Sequence, residues 1–148
     1  MTRIAHTPWL LGLLCTASWA QATAPDPALL GCWRAITIVL HTTDGARLEY
    51  RSGRCTLRFK EDQLESTCRT TQGLATTTYQ YQIVRPQVYA TTLAGSTVRT
   101  EMARTTREYA YRIEGERLHT ASVASATATD ASATGPRTET DAIRIACP

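Results

Sequence analysis

Two neighbouring stretches, Cys55-Thr-Leu-Arg-Phe-Lys60 and Gln63-Leu-Glu-Ser-Thr-Cys-Arg69, alternate between two kinds of side chain, and only Glu61-Asp62 separates them. A period of two belongs to a strand with one buried face. Folding the pair about Glu61-Asp62 sets Phe59 opposite Leu64, Leu57 opposite Ser66 and Cys55 opposite Cys68, all on the buried side, while Thr56, Arg58 and Lys60 point to solvent. Directly opposed residues of an antiparallel pair lie about 4.5 to 5.5 Å apart at Cα, inside the range that a disulfide accepts. The hairpin and a Cys55–Cys68 bridge are therefore specified together, and a different pairing would mean a different register.

The same alternation continues along the chain. Thr76 to Val84 places Tyr79, Tyr81 and Ile83 on one face; Arg85-Pro86-Gln87 then turns the chain into a strand from Val88 to Leu93. Ala94-Gly95-Ser96 reads as a further turn and Val98 to Ala103 as a further strand. Thr106 to Ile113 puts Tyr109, Tyr111 and Ile113 on one side, and Gly115-Glu116 closes a hairpin onto Leu118, Thr120 and Ser122. Threonine, abundant throughout, suits such half-buried pleated surfaces. Residues 121–138, rich in Ala, Ser and Thr and nearly uncharged, read as a long flexible loop. Thr140 to Cys147 returns as the closing strand, with Ile143, Ile145 and Cys147 in phase. No segment shows a sustained helical stripe. The expected fold is all-β, about eight to nine antiparallel strands in up-and-down order.

The amino terminus carries Arg3, an apolar stretch from Pro8 to Cys15, and Ser18-Trp19-Ala20, which together read as an export signal with cleavage after Ala20 or, alternatively, after Ala24. Residues 1–20 are therefore set aside as a signal peptide, 21–30 as a lead-in and 31–148 as a single domain. The apolar stretch is too short to span a bilayer. Lipidation at Cys15 is not expected, because Leu14 stands before it where a small residue is wanted. Export takes away Arg3 and Cys15, lowering the formal net charge from +3 by one and leaving four of the five cysteines. An even count in an exported chain, with no Cys-x-x-Cys pair, argues for disulfides. With Cys55 joined to Cys68, Cys32 is left to pair with Cys147.

Ahead of the hairpin stands Gly31-Cys32-Trp33, opening an Ala-Ile-Thr-Ile-Val-Leu run. This Gly-x-Trp resembles the opening of the lipocalin-like group of calycins. The resemblance implies a closed up-and-down barrel in which Trp33 plugs one end beside Gly31 and an arginine of the last strands, Arg144, stacks on it. Thr106-Arg-Glu-Tyr-Ala-Tyr111 is similar to the second motif of that group, although the motif's Asp is missing. The terminal helix usual in secreted animal members has no counterpart.

An eight-stranded barrel is just wide enough to be filled by side chains or to hold one small ligand. Tyr79, Tyr81, Tyr89, Tyr109 and Tyr111 would supply an aromatic, hydrogen-bonding lining for an amphipathic molecule, or else form ordinary core. Binding of a small apolar or amphipathic ligand in the barrel leads, by the resemblance alone. The alternatives are an inhibitor or immunity protein that blocks a hydrolase or protease, presenting residues 121–138 or the Pro25-Asp26-Pro27 lead-in, and a structural envelope protein. Catalysis is not expected. His41 and His119 lie on separate strands with no motif for an activated nucleophile or a metal, and no cofactor is indicated. Scattered arginines on a nearly neutral chain give no nucleic-acid footprint. The expectation is a periplasmic or secreted monomer without a membrane span.

Overall fold

Alternating, threonine-rich segments keep the chain extended, and the strands that result cover one another's apolar faces by closing into a cylinder. The structure, a computed structural model, describes residues 24–98, 106–123 and 136–148. Its strands are β1 (Gly31–His41), β2 (Arg47–Tyr50), β3 (Cys55–Phe59), β4 (Gln63–Thr70), β5 (Gly73–Arg85), β6 (Val88–Ser96), β7 (Thr106–Glu114), β8 (Arg117–Val123) and β9 (Arg137–Ile145). From β3 to β9 each pairs antiparallel with the next, and β9 returns to β1 from Cys32 opposite Ile145 to His41 opposite Arg137. The near half of β1 pairs with β3, from Gly31 opposite Phe59 to Ala35 opposite Cys55. β1 and β3–β9 therefore form a closed eight-stranded barrel, which removes the unpaired edges an open sheet would expose. β2 is an extra strand on the far half of β1, with Ile38 opposite Tyr50 and Leu40 opposite Leu48. The described residues contain no helix.

The β3–β4 register sets Cys55 opposite Cys68, Leu57 opposite Ser66 and Phe59 opposite Leu64. Both disulfides are present, Cys55–Cys68 with a Cα separation of 4.0 Å and Cys32–Cys147 with 5.1 Å. In the β7–β8 hairpin Tyr109 faces Ser122, Tyr111 faces Thr120 and Ile113 faces Leu118.

Several boundaries differ from the sequence expectation. Residues 121–123 complete β8 and Arg137 and Thr138 begin β9, so the loop expected over 121–138 gives up both ends; 124–135 lie outside the described residues. Backbone pairing explains this, since Ala121 is opposite both Ala110 and Glu139 and needs no apolar side chain to hold it. Ala94-Gly95-Ser96 is not a turn but the end of β6, because the long β5 supplies Thr77 and Thr78 as partners for Ser96 and Gly95. Ala94 is left unpaired there as a bulge. Val98 lies past the end of β6, and the rest of the strand expected over Val98 to Ala103 falls outside the described residues. β9 starts at Arg137 rather than Thr140 and ends at Ile145, leaving Cys147 beyond it.

A bulge also resolves the unbroken apolar run of β1. The β1–β9 register slips between Ala35 and Thr37, leaving Ile36 unopposed. Trp33 and Ala35 face inward before it, and Ile38 with Leu40 after it, because one extra residue shifts the phase of a period-two strand.

The core sits at one end. Leu29, Trp33 and Leu118 are fully buried and pack with Phe59, Tyr81, Ile83, Tyr89 and Tyr111. The lead-in closes that end as a turn: the Asp26 carbonyl accepts from the amides of Leu29 and Leu30, and its carboxylate accepts from the Ala28 amide at 2.9 Å and the Tyr111 hydroxyl at 2.7 Å. Trp33 donates its indole N–H to the Leu29 carbonyl at 2.8 Å. The Arg144 guanidinium lies 4.0 Å from the centre of the Trp33 ring and donates to the carbonyls of Leu30 and Ala28 at 2.9 and 2.6 Å. Gly31 has φ +113°, and a Cβ there would stand 3.1 Å from the Arg144 guanidinium, so the close approach and the backbone both call for glycine.

Candidate functional site

Above this plug the barrel is not filled. A cavity of about 170 Å³ remains between the walls, and its lining is two-sided. Ala35 and Ile38 of β1, Leu57 of β3 and Leu64 of β4 make an apolar wall. Thr91 of β6, Tyr109 of β7, Thr120 of β8 and Thr138 and Thr140 of β9 make a wall of hydroxyls, with Ser66 and Tyr79 between the two. The strand phase produces this division: Thr120 is opposite Thr140, Tyr109 is opposite Ser122, and Leu57 is opposite Trp33.

Tyr89 joins the core to the cavity. Its ring stacks on Tyr109 with centroids 5.4 Å apart and meets the Phe59 ring edge-on at 5.5 Å. Burial pushes the Tyr89 hydroxyl far above the ordinary tyrosine range, with the neighbouring Tyr109 adding to the effect and Thr120 opposing it by a hydrogen bond. Burial likewise raises Tyr79 and Tyr109. All three are therefore neutral hydroxyls across the physiological range. No Asp, Glu, Lys, Arg or His is among the described residues lining the cavity, but Arg107, in phase with Tyr109 on β7 and opposite Thr91 on β6, stands against the Tyr109 hydroxyl and lowers the cost of ionising it.

The five tyrosines expected to line an interior divide by height. Tyr79, Tyr89 and Tyr109 border the cavity. Tyr81 and Tyr111 instead belong to the plug: Tyr81 donates its hydroxyl to the Lys60 carbonyl at 2.5 Å, and Tyr111 donates to Asp26. Strand phase put all five on the inward face, but phase carries no information about depth along the barrel. The hydroxyl wall of Thr91, Thr138 and Thr140 escaped the sequence reading. On β9 the sequence reading followed Ile143 and Ile145, whereas the structure turns the other phase inward: Thr138 and Thr140 to the cavity, and Ala142 and Arg144, opposite Ala35 and Trp33, below it.

The histidines of β1 and β8 lie on the outer face. His119 faces Asp141 at 2.8 Å and His41 faces Glu139 at 3.1 Å, both partly exposed cross-strand pairs. No group of three His, Cys, Asp or Glu among the described residues could hold a metal ion. Asp26 of the Pro25-Asp26-Pro27 segment is tied to Tyr111, so the lead-in serves the plug and is not presented as a free arm.

A closed eight-stranded antiparallel barrel with a Gly-x-Trp strand, a tryptophan plug under an arginine and an open interior is a lipocalin-like barrel. A lipocalin-like protein from Bacteroides uniformis shares this fold, with a TM-score of 0.52 and 12% identity over 80% of this chain and 99% of that one. An uncharacterized protein from Bacteroides eggerthii aligns over 78% of this chain and 98% of its own, at 9% identity and a TM-score of 0.49. No protein-family model matches the chain, and no curated protein matches it either.

Proposed function

We propose that this chain is an exported, non-catalytic binding protein that takes one small amphipathic molecule into the barrel. The observation that carries the reading is the two-walled cavity, apolar along β1, β3 and β4 and hydroxyl-bearing along β6–β9. Fixed hydroxyls in an apolar, largely pre-formed hollow are what a small-molecule site requires, the apolar area supplying affinity and the hydroxyls orientation. At about 170 Å³ the hollow is smaller than the roughly 300 Å³ at which drug-sized pockets begin, so it suits a small molecule or one end of a longer one. Two disulfides support export, since such bonds persist in oxidising compartments.

Native mass spectrometry of protein purified from its own export compartment tests this. The expected result is a population heavier than the disulfide-bonded chain by one small molecule, released on unfolding. A bare mass together with capture of a single hydrolase or protease would contradict it and favour an inhibitor.

A further inference from the structure

We propose that the hollow end of the barrel docks on an anionic lipid surface, its exposed apolar side chains entering the headgroup layer and the arginines between them meeting lipid phosphates. Docking there does not depend on the barrel's being a carrier.

The first observation is where the exposed apolar side chains lie. Leu48, Tyr50, Leu74 and Val98 are the large hydrophobics left exposed among the described residues, from 43% at Leu48 to 65% at Leu74, and all four stand at the hollow end. Leu48 and Tyr50 belong to β2, on the far half of β1. Leu74 follows the β4–β5 turn. Val98 follows Thr97, whose amide donates to the Thr76 carbonyl at 2.9 Å and whose hydroxyl accepts from the Thr76 amide at 2.8 Å, two residues from Leu74. Single exposed apolar residues are ordinary, whereas four gathered round one mouth mark a surface that something covers.

The second observation is the charge set among them. Arg69 is directly opposite Leu74, and its amide donates to the Arg54 carbonyl at 3.0 Å, which places Arg54 on the β2 side of that pair. Arg47 and Arg137 flank His41 in the last row of β1. With Arg51, the arginines of the mouth outnumber its carboxylates, Asp44, Glu49 and Glu139. Glu49 bridges Arg47 and Arg51, and Glu139 faces His41, so Arg54, Arg69 and Arg137 have no carboxylate partner among the described residues. Apolar tips interleaved with unneutralised arginines are what an anionic bilayer surface attracts, the tyrosine suiting the headgroup level. A flat surface also meets a whole ring at once, while the mouth of a second copy would bring arginines against arginines.

Cosedimentation with vesicles tests this, using protein purified from its own export compartment and either phosphatidylcholine alone or an equal mixture with phosphatidylglycerol. The mixed vesicles are expected to take up the protein at least about tenfold more strongly, and less so as salt rises. Arg54→Glu with Arg69→Glu, at two exposed positions, is expected to lower that uptake about tenfold or more, and Tyr50→Ser with Leu74→Ser about fivefold or more. Equal uptake by both kinds of vesicle, or uptake untouched by either pair of substitutions, would overturn the proposal. So would no uptake at all; an acidic protein captured instead, or a dimer that Tyr50→Ser with Leu74→Ser dissolves, would then name the occupant. The native mass of the same protein reads the carrier separately, so either can fail alone.

Discussion

Arg144 does at one position what several residues would otherwise have to do. Its guanidinium covers Trp33 and satisfies the carbonyls of Ala28 and Leu30, so the lead-in turn, the first strand and the last strand meet on it. Arg144→Ala is expected to cost about 2 to 3 kcal/mol in urea unfolding, from the lost cation–π contact and two charge-assisted hydrogen bonds. Arg144→Lys should recover little of that, because an ammonium cannot stack flat on the indole while reaching two carbonyls. A loss for Arg144→Ala within the noise of the measurement would show the plug to be held otherwise. Tyr81 gives a pH prediction. Burial, with Asp62 and Asp26 nearby, pushes its hydroxyl up to about 12, above the usual tyrosine value near 10. The folded state then keeps a proton that the unfolded chain releases first, so the contribution is whole below about pH 10 and is lost as pH rises towards about 12. Tyr89 and Tyr111 are shifted in the same direction. Unfolding free energy that stays flat across that window would contradict the burial of these hydroxyls. At this scale the sequence spoke unevenly: Trp33 and Arg144 were legible only through the resemblance of Gly31-x-Trp33, whereas the cavity threonines look like any threonine of a strand.

Elements were most legible where a short turn joins two alternating segments. Cys55 to Phe59 and Leu64 to Cys68 could be paired from the sequence because the turn leaves one register that buries both apolar faces, and β7–β8 follows the same logic. Legibility failed where pairing depends on a neighbour's length. Ala94 to Ser96 extend β6 only because β5 runs back far enough to meet them, and Ile36 is a bulge only because β9 fixes both sides of it. The disulfides act at this scale too. Cys32–Cys147 joins positions 115 residues apart and Cys55–Cys68 positions 13 apart. In the chain-entropy account, removing the first by paired Cys→Ala changes should cost about 5 kcal/mol and the second about 3. Denaturant unfolding of the two double variants checks the order. A larger loss from Cys55 and Cys68 would mean that loop length does not govern their contributions.

For the molecule as a whole, closure turns local alternation into a vessel with a sealed end and a hollow one. Whether such a barrel is filled depends on how side chains from eight strands meet at each height, a property of no single segment, and so the cavity could not be read in advance. What fills the sealed end is the large aromatic set of Trp33, Phe59, Tyr81 and Tyr111; what leaves the other end open is the smaller Ala35, Ser66, Thr120 and Thr140. The central claim is that a small molecule enters this hollow. Backbone amide NMR during separate titrations of decanol, decanoate and decylammonium tests it most directly. The account predicts that at least one of them shifts the amides of Leu57, Ser66, Thr120 and Thr140 together while those of Arg112 and His119 on the outer face stay in place; shifts confined to the outer face, or none with any of the three, would contradict it.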